Sequence, residues 1–152
     1  MKKLLMIFVC LVFIAGAVGS VYAQFAKPEY AIKYRKAVMF LIAQHFGRMG
    51  AMVKEKIPYN QEVFARNAML VETLSQLPWE AAMVPGSDAG DTTLNASVFV
   101  EQARFKKVAQ TFETQAVKLV SAAGSGDFSA VKTQFGEVGK SCKACHTQFR
   151  TK

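Results

Sequence analysis

Cysteine and histidine are scarce in this chain of 152 residues, with three of the first and two of the second. A structural zinc site wants four Cys or His ligands in a tetrahedron, and outside one short C-terminal cluster the chain offers only Cys10 and His45. Sustained period-two alternation of apolar and polar residues is also missing, which leaves a β-sheet without support. No cluster interleaves basic with aromatic side chains, so nothing points to nucleic acid. Acidic residues are outnumbered 11 to 19 by Lys and Arg, giving a formal net charge of +8. Such a balance suits solubility, and it also suits attraction to an acidic protein partner or a membrane surface.

The cluster that holds most of the cysteine and histidine is Cys142-Lys143-Ala144-Cys145-His146. A C-x-x-C-H run is the shortest sequence that can hold a haem covalently and ligate its iron. Each thiol adds across a haem vinyl group to form a thioether, and the following histidine then lies beneath the metal. Three other readings compete. Half a zinc site lacks its second half, and a thioredoxin-like pair belongs at a helix start after a strand, whereas this run ends a helical segment. A plain disulfide would consume the thiols that haem attachment needs. Covalent haem c is the reading we carry forward, and outside the cytoplasm it implies helper proteins that keep the thiols reduced.

The first residues read as a secretory signal. Lys2 and Lys3 precede a largely apolar run from Leu4 to Val18, and Val21-Tyr22-Ala23 offers a cleavage site before Gln24. The apolar stretch is shorter than the roughly 20 residues of a spanning helix. We therefore expect a removed signal at 1–23 and one domain at 24–152, exported to the periplasm. Cys10 leaves with the signal, and losing Lys2 and Lys3 lowers the net charge from +8 to +6.

Four segments carry helical periodicity. Pro28 to Val53 places Val38, Met39, Ile42, Phe46, Met49 and Val53 at steps of three and four, with Arg35 on the same face. A second segment starts with Asn60 as N-cap and aligns Val63, Asn67, Leu70, Leu74 and Leu77, with Pro78 as its stop. A loop rich in turn formers, Pro85 to Asp91, precedes a third helix from about Asn95 to Ala123, carrying Val98, Phe105, Val108, Phe112 and Leu119. Gly124-Ser125-Gly126 closes it. The fourth opens at Asp127 and reads Phe128, Val131, Phe135, Val138, Cys142, Cys145 and Phe149 on one stripe, so both thiols face the core. Gly136 and Gly139 inside it suggest close approach of a neighbouring helix or of the haem edge. The predicted fold is an all-α, antiparallel four-helix bundle with haem c held on the C-terminal helix.

These residues carry a resemblance. The stretch Gln24 to Glu29, the runs His45 to Met49 and Leu77 to Trp79, and the terminal Ser141 to His146 together make the chain resemble the cytochrome c′ family, class II of the c-type cytochromes, over the whole mature length. Class I relatives carry the haem motif near the N-terminus, whereas here it lies at the C-terminal end, as in this family. The resemblance implies one five-coordinate haem c per chain, with Cys142 and Cys145 as thioethers and His146 as the axial ligand. It also implies an apolar side chain from the first helix over the opposite face, which by position is Met39. A thioether sulfur can also ligate iron.

Arg35 on an apolar stripe needs an anionic partner, which a haem propionate supplies, and the family uses an arginine here in that way. Arg150, four residues after His146, resembles the family's basic residue on the histidine side. Lys36 and Asp91 are expected at the haem rim, and Trp79 and Met83 near the pocket. His45 lies on the flank of the first stripe. The family pairs as a homodimer through its first two helices, where Phe40 and Met52 are candidate contacts unless they complete the monomer core.

The function implied is binding of nitric oxide, and more weakly carbon monoxide, at a vacant axial site, with electron transfer to a redox partner protein. The alternative is a simple six-coordinate electron carrier with Met39, Met49 or His45 as sixth ligand. A peroxidase-like enzyme needs a polar acid–base pair facing the iron. The first-helix stripe around Met39 supplies only apolar neighbours, so no catalytic residue is assigned.

Overall fold

A computed structural model describes residues 25–151; the signal segment and Cys10 lie outside the described residues. Four long helices make the bundle. They are α1 (Pro28–Val53), α2 (Gln61–Ser75), α5 (Gln102–Gly124) and α6 (Phe128–Phe149), and two short ones, α3 (Pro78–Ala82) and α4 (Ser97–Val100), lie in the connection between α2 and α5. Among the described residues there is no strand, only an isolated antiparallel bridge between Leu94 and Arg150. No described helix is long and apolar enough to cross a membrane.

Local chemistry sets the helix ends. Pro28 opens α1, where its missing N–H costs nothing. The Asn60 side chain accepts from the Val63 N–H, and that of Asp127 accepts from the Ser129 and Ala130 N–H groups. Each such cap is worth about 1 kcal/mol. After α5 the chain turns through Gly126, whose φ of 77° is the left-handed region that glycine enters without a Cβ penalty.

One core runs through the bundle, with Phe64, Met49, Leu119, Val71 and Val131 fully buried. The expected stripes of α1, α5 and α6 face inward. That of α2 is rotated by one residue: Phe64, Asn67, Ala68, Val71 and Ser75 are buried, while Leu70 stays 45% exposed and Leu77 is exposed as well. The long apolar side chains of α2 occupy two faces, and its small ones allow close packing inward. Pro78 does not stop α2, which already ends at Ser75; it starts α3 instead. The third segment is not continuous, because Glu101, at φ −103° and ψ 42°, breaks it between α4 and α5. Met52 is 2% exposed and belongs to the core, leaving Phe40, 62% exposed, as the outward candidate.

Helices α1 and α6 run antiparallel. The Phe46 and Phe135 rings stack 4.1 Å apart, a Cβ on Gly50 would lie 3.2 Å from Phe135 Cζ, and one on Gly139 would lie 3.9 Å from Phe46 Cζ. Gly50 is therefore the glycine that close helix approach requires. Gly136 has nothing within 4 Å of its Cβ position, so a close helix neighbour does not explain it. The pairs Gly50–Phe135 and Phe46–Gly139 fix a register. Extended along both helices, it sets Met39 across from His146.

Candidate functional site

Beyond the Phe46–Phe135 contact, α1 and α6 enclose a cavity of about 750 Å³, within the size range of sites for compact cofactors. Its α1 wall is Met39, Ile42, Ala43 and Phe46, with Arg35 and Lys36 toward the mouth. The α6 wall presents Gly139, Cys142, Cys145 and His146, and Trp79, Phe105 and Phe112 complete the apolar sides. The spacing explains the α6 wall, since residues three and four apart lie on one face and Cys142 therefore sits over Cys145 and His146.

Cys142 and Cys145 are not joined to each other, which leaves both sulfurs for a tethered group. Burial raises the pKa of Cys142, and burial together with the neighbouring Cys142 pushes Cys145 up to about 11, despite the opposing effect of Arg150. Both stay protonated at neutral pH, the form that adds across a vinyl group with no net change in protons. Desolvation, then the charge of Arg150, lowers the pKa of His146. The imidazole is accordingly neutral, with a lone pair available to a metal. Trp79 Nε1 is buried without a hydrogen-bond partner. An orphaned buried donor of this kind fits an acceptor brought by a bound group. Two thiols and an imidazole on one helical turn, an apolar cavity and an unmatched donor suit a covalently tethered macrocycle carrying acidic substituents.

The remaining candidates are placed as follows. Arg35 is 6% exposed and makes four hydrogen bonds, all through its terminal nitrogens. Nη1 donates to Ala81 O at 2.8 Å and to Ser87 Oγ at 3.3 Å; Nη2 donates to Ser87 O and Thr92 Oγ1, both at 2.8 Å. Burial lowers its pKa while Asp88 opposes. Neutral oxygens of the long connection accept all four of these hydrogen bonds. Lys36 and Asp91 form an exposed ion pair at 2.6 Å on the cavity rim.

Arg150 does not continue the α6 face as its spacing suggested. It follows the last helical residue in extended conformation, φ −116° and ψ 140°, yet still lines the cavity. Its Nε donates to Thr93 Oγ1 at 3.1 Å. His45 pairs through Nδ1 with Asn67 Oδ1 at 2.8 Å, and Met49 is fully buried in the core. Neither lines the cavity, and neither does Met83. Sequence reasoning missed Ser87, Thr92 and Thr93, because nothing in a turn-forming composition marks which hydroxyls grip the walls.

Comparison with known proteins agrees with this geometry. The family model described as Cytochrome C′ matches residues 30–150. The cytochrome c′ of Alcaligenes xylosoxydans is 45% identical over 129 residues, covering 85% of this chain and 99% of the relative. That of Rubrivivax gelatinosus is 44% identical over 130 residues, covering 85% and 100%. Among solved structures, cytochrome c prime from Shewanella frigidimarina superimposes with a TM-score of 0.82 at 40% identity, covering 85% of this chain and all of that one. A nitric oxide complex of a variant of the Alcaligenes xylosoxidans protein gives 0.79 at 43% identity, covering 85% and 99%, and a carbon monoxide-bound variant gives the same score and identity. Such relatives carry covalently bound haem c. Fold, motif position, coverage and identity agree, and the chain belongs to the cytochrome c′ family.

Proposed function

We propose that the chain is an exported, periplasmic haem c protein that binds nitric oxide, and more weakly carbon monoxide, on an open axial position, and that exchanges electrons with a partner protein. The observation that carries this reading is the α1–α6 register, which sets the apolar Met39 across the cavity from His146. When bound, haem c supplies a redox-active iron with two axial faces. Cys142 and Cys145 would tether it to α6 and the neutral His146 would ligate its iron. Met39, Ile42, Ala43 and Phe46 form the apolar wall that α1 would turn toward it. That wall offers no proton donor or acceptor, which favours a binding protein over an enzyme. A small uncharged diatomic gains entry by displacing the Met39 side chain, whereas larger ligands and those needing a hydrogen bond are penalised. Because His45 and Met49 lie away from the cavity, neither is placed to serve as a sixth ligand.

Arg35, held by the connection, lines the cavity together with Lys36 and Asp91, and the cationic groups of Arg35 and Lys36 are available to the acidic substituents of a bound haem. Arg150 stands on the His146 side, where it meets any ligand that replaces the imidazole. Export rests on the 1–23 signal pattern. A homodimer is supported by the exposed apolar side chains Leu41 on α1 and Met69 and Leu70 on α2, with Phe40 exposed at the edge of the cavity. Titrating the reduced, haem-loaded protein with nitric oxide tests the central reading. A saturating absorption change at one equivalent per chain supports it, and an unchanged spectrum refutes it.

A further inference from the structure

We propose that Thr93 is the positioning residue for Arg150, holding its guanidinium beside His146 and so setting how that side of the haem receives a ligand. The inference rests on the role given above to Arg150. Since α6 ends at Phe149, nothing helical orients Arg150, and among the described residues it forms no ion pair. Its direction comes from the connection. Thr151 N donates to Thr93 O at 2.8 Å, and Asn95 N donates to Phe149 O at 3.1 Å. Asn95 Nδ2 donates to Gln148 O, also at 3.1 Å. The two bonds from Asn95 satisfy carbonyls that the end of α6 leaves unpaired. All three lock Thr93 beside the end of α6, where its hydroxyl accepts from Arg150 Nε at 3.1 Å.

One residue earlier, Thr92 Oγ1 accepts from Arg35 Nη2 at 2.8 Å and from Leu94 N at 3.1 Å. Adjacent threonines therefore hold two arginines that both line the cavity, Arg35 from α1 and Arg150 from just past the end of α6. The connection is thus a strap joining the Met39 wall to the His146 wall. Without the Thr93 hydroxyl, Arg150 loses its only side-chain hydrogen bond among the described residues and regains the rotamer freedom of a long exposed side chain.

The test compares Thr93→Val, which keeps the side-chain shape, with Thr93→Ser, which keeps the hydroxyl, and with Arg150→Ala, all in haem-loaded protein. The first readout is solvent exchange of the Arg150 Nε–H by NMR in the reduced, carbon monoxide-saturated state. The second is the rate of the absorption change after mixing with nitric oxide. With Thr93→Val, exchange accelerates about three- to tenfold, the ratio an ordinary net hydrogen bond supports where solvent screens the charge. The nitric oxide rate moves toward that of Arg150→Ala, and Thr93→Ser restores both. Unchanged exchange and rate in Thr93→Val, while Arg150→Ala shifts the rate, overturns the role of Thr93 and leaves that of Arg150 standing. If Arg150→Ala itself leaves the rate unchanged, the role of Arg150 falls and the ligand-directing half of this inference with it. The exchange readout then judges the Thr93 hold alone.

Discussion

Replacing Arg35 by Met keeps most of the apolar stem and removes the guanidinium. Four hydrogen bonds disappear, three of them buried. Ala81 O and Ser87 O lose a charged donor without gaining water, at about 1–3 kcal/mol for each buried acceptor left unsatisfied. Removal of the desolvated charge returns part of this, because burial opposes the charged form at this site. The net expectation is a loss of about 2–4 kcal/mol, a large share of the roughly 5–15 kcal/mol available to a domain. In thermal terms that is about 8–16 °C for a chain of this size. Urea unfolding of the haem-loaded protein, followed by far-UV circular dichroism, measures it. Arg35→Lys keeps a charge and reaches fewer of the four oxygens, and should fall between Met and wild type. A loss below about 1 kcal/mol for Arg35→Met would refute the argument that Arg35 clamps the connection onto α1.

Met39→Ala should widen the apolar wall and speed carbon monoxide association by about tenfold or more, as expected if roughly 1.4 kcal/mol of side-chain displacement is relieved; unchanged flash-photolysis rates would remove Met39 as a lid. In the folded chain before haem attachment, iodoacetamide labelling of Cys145 should keep rising with pH toward its raised pKa of about 11, whereas a plateau in the ordinary thiol range would contradict the burial argument. Lys132 holds the Glu55 pKa below its ordinary value, first by hydrogen bonding and then by charge. The ion pair therefore stabilises the fold above the ordinary carboxylate pKa, and that gain is lost as pH falls through the lowered value. Glu55→Gln should unfold at lower urea than wild type at neutral pH and at equal urea in strong acid, and a gap independent of pH would contradict the sign.

The sequence made α6 legible because one unbroken stripe carried both the packing residues and the haem motif, so burial and chemistry demanded the same phase. It misled on α2 by one residue of phase, since Phe64, Ala68, Val71 and Ser75 are buried while Leu70 and Leu77 are exposed. Apolar side chains lie on two neighbouring rows of this helix, so hydropathy alone does not choose between them. The carbonyl and hydroxyl partners of Arg35 are not legible in the sequence. Backbone acceptors are available at every residue, so no residue type announces them. The break at Glu101 and the extended Arg150 depend on how the connection meets the end of α6. Helical spacing was extrapolated across both.

The most direct test of the account is the spin state of the haem-loaded protein without added ligand, read by visible absorption and resonance Raman in both oxidation states. An open axial position opposite His146 requires a high-spin, five-coordinate iron with a broad reduced band. Sharp low-spin bands in the reduced protein would mean that a side chain, with Met39 the one across the cavity, already fills that position. The gas-binding reading would then give way to that of a simple electron carrier.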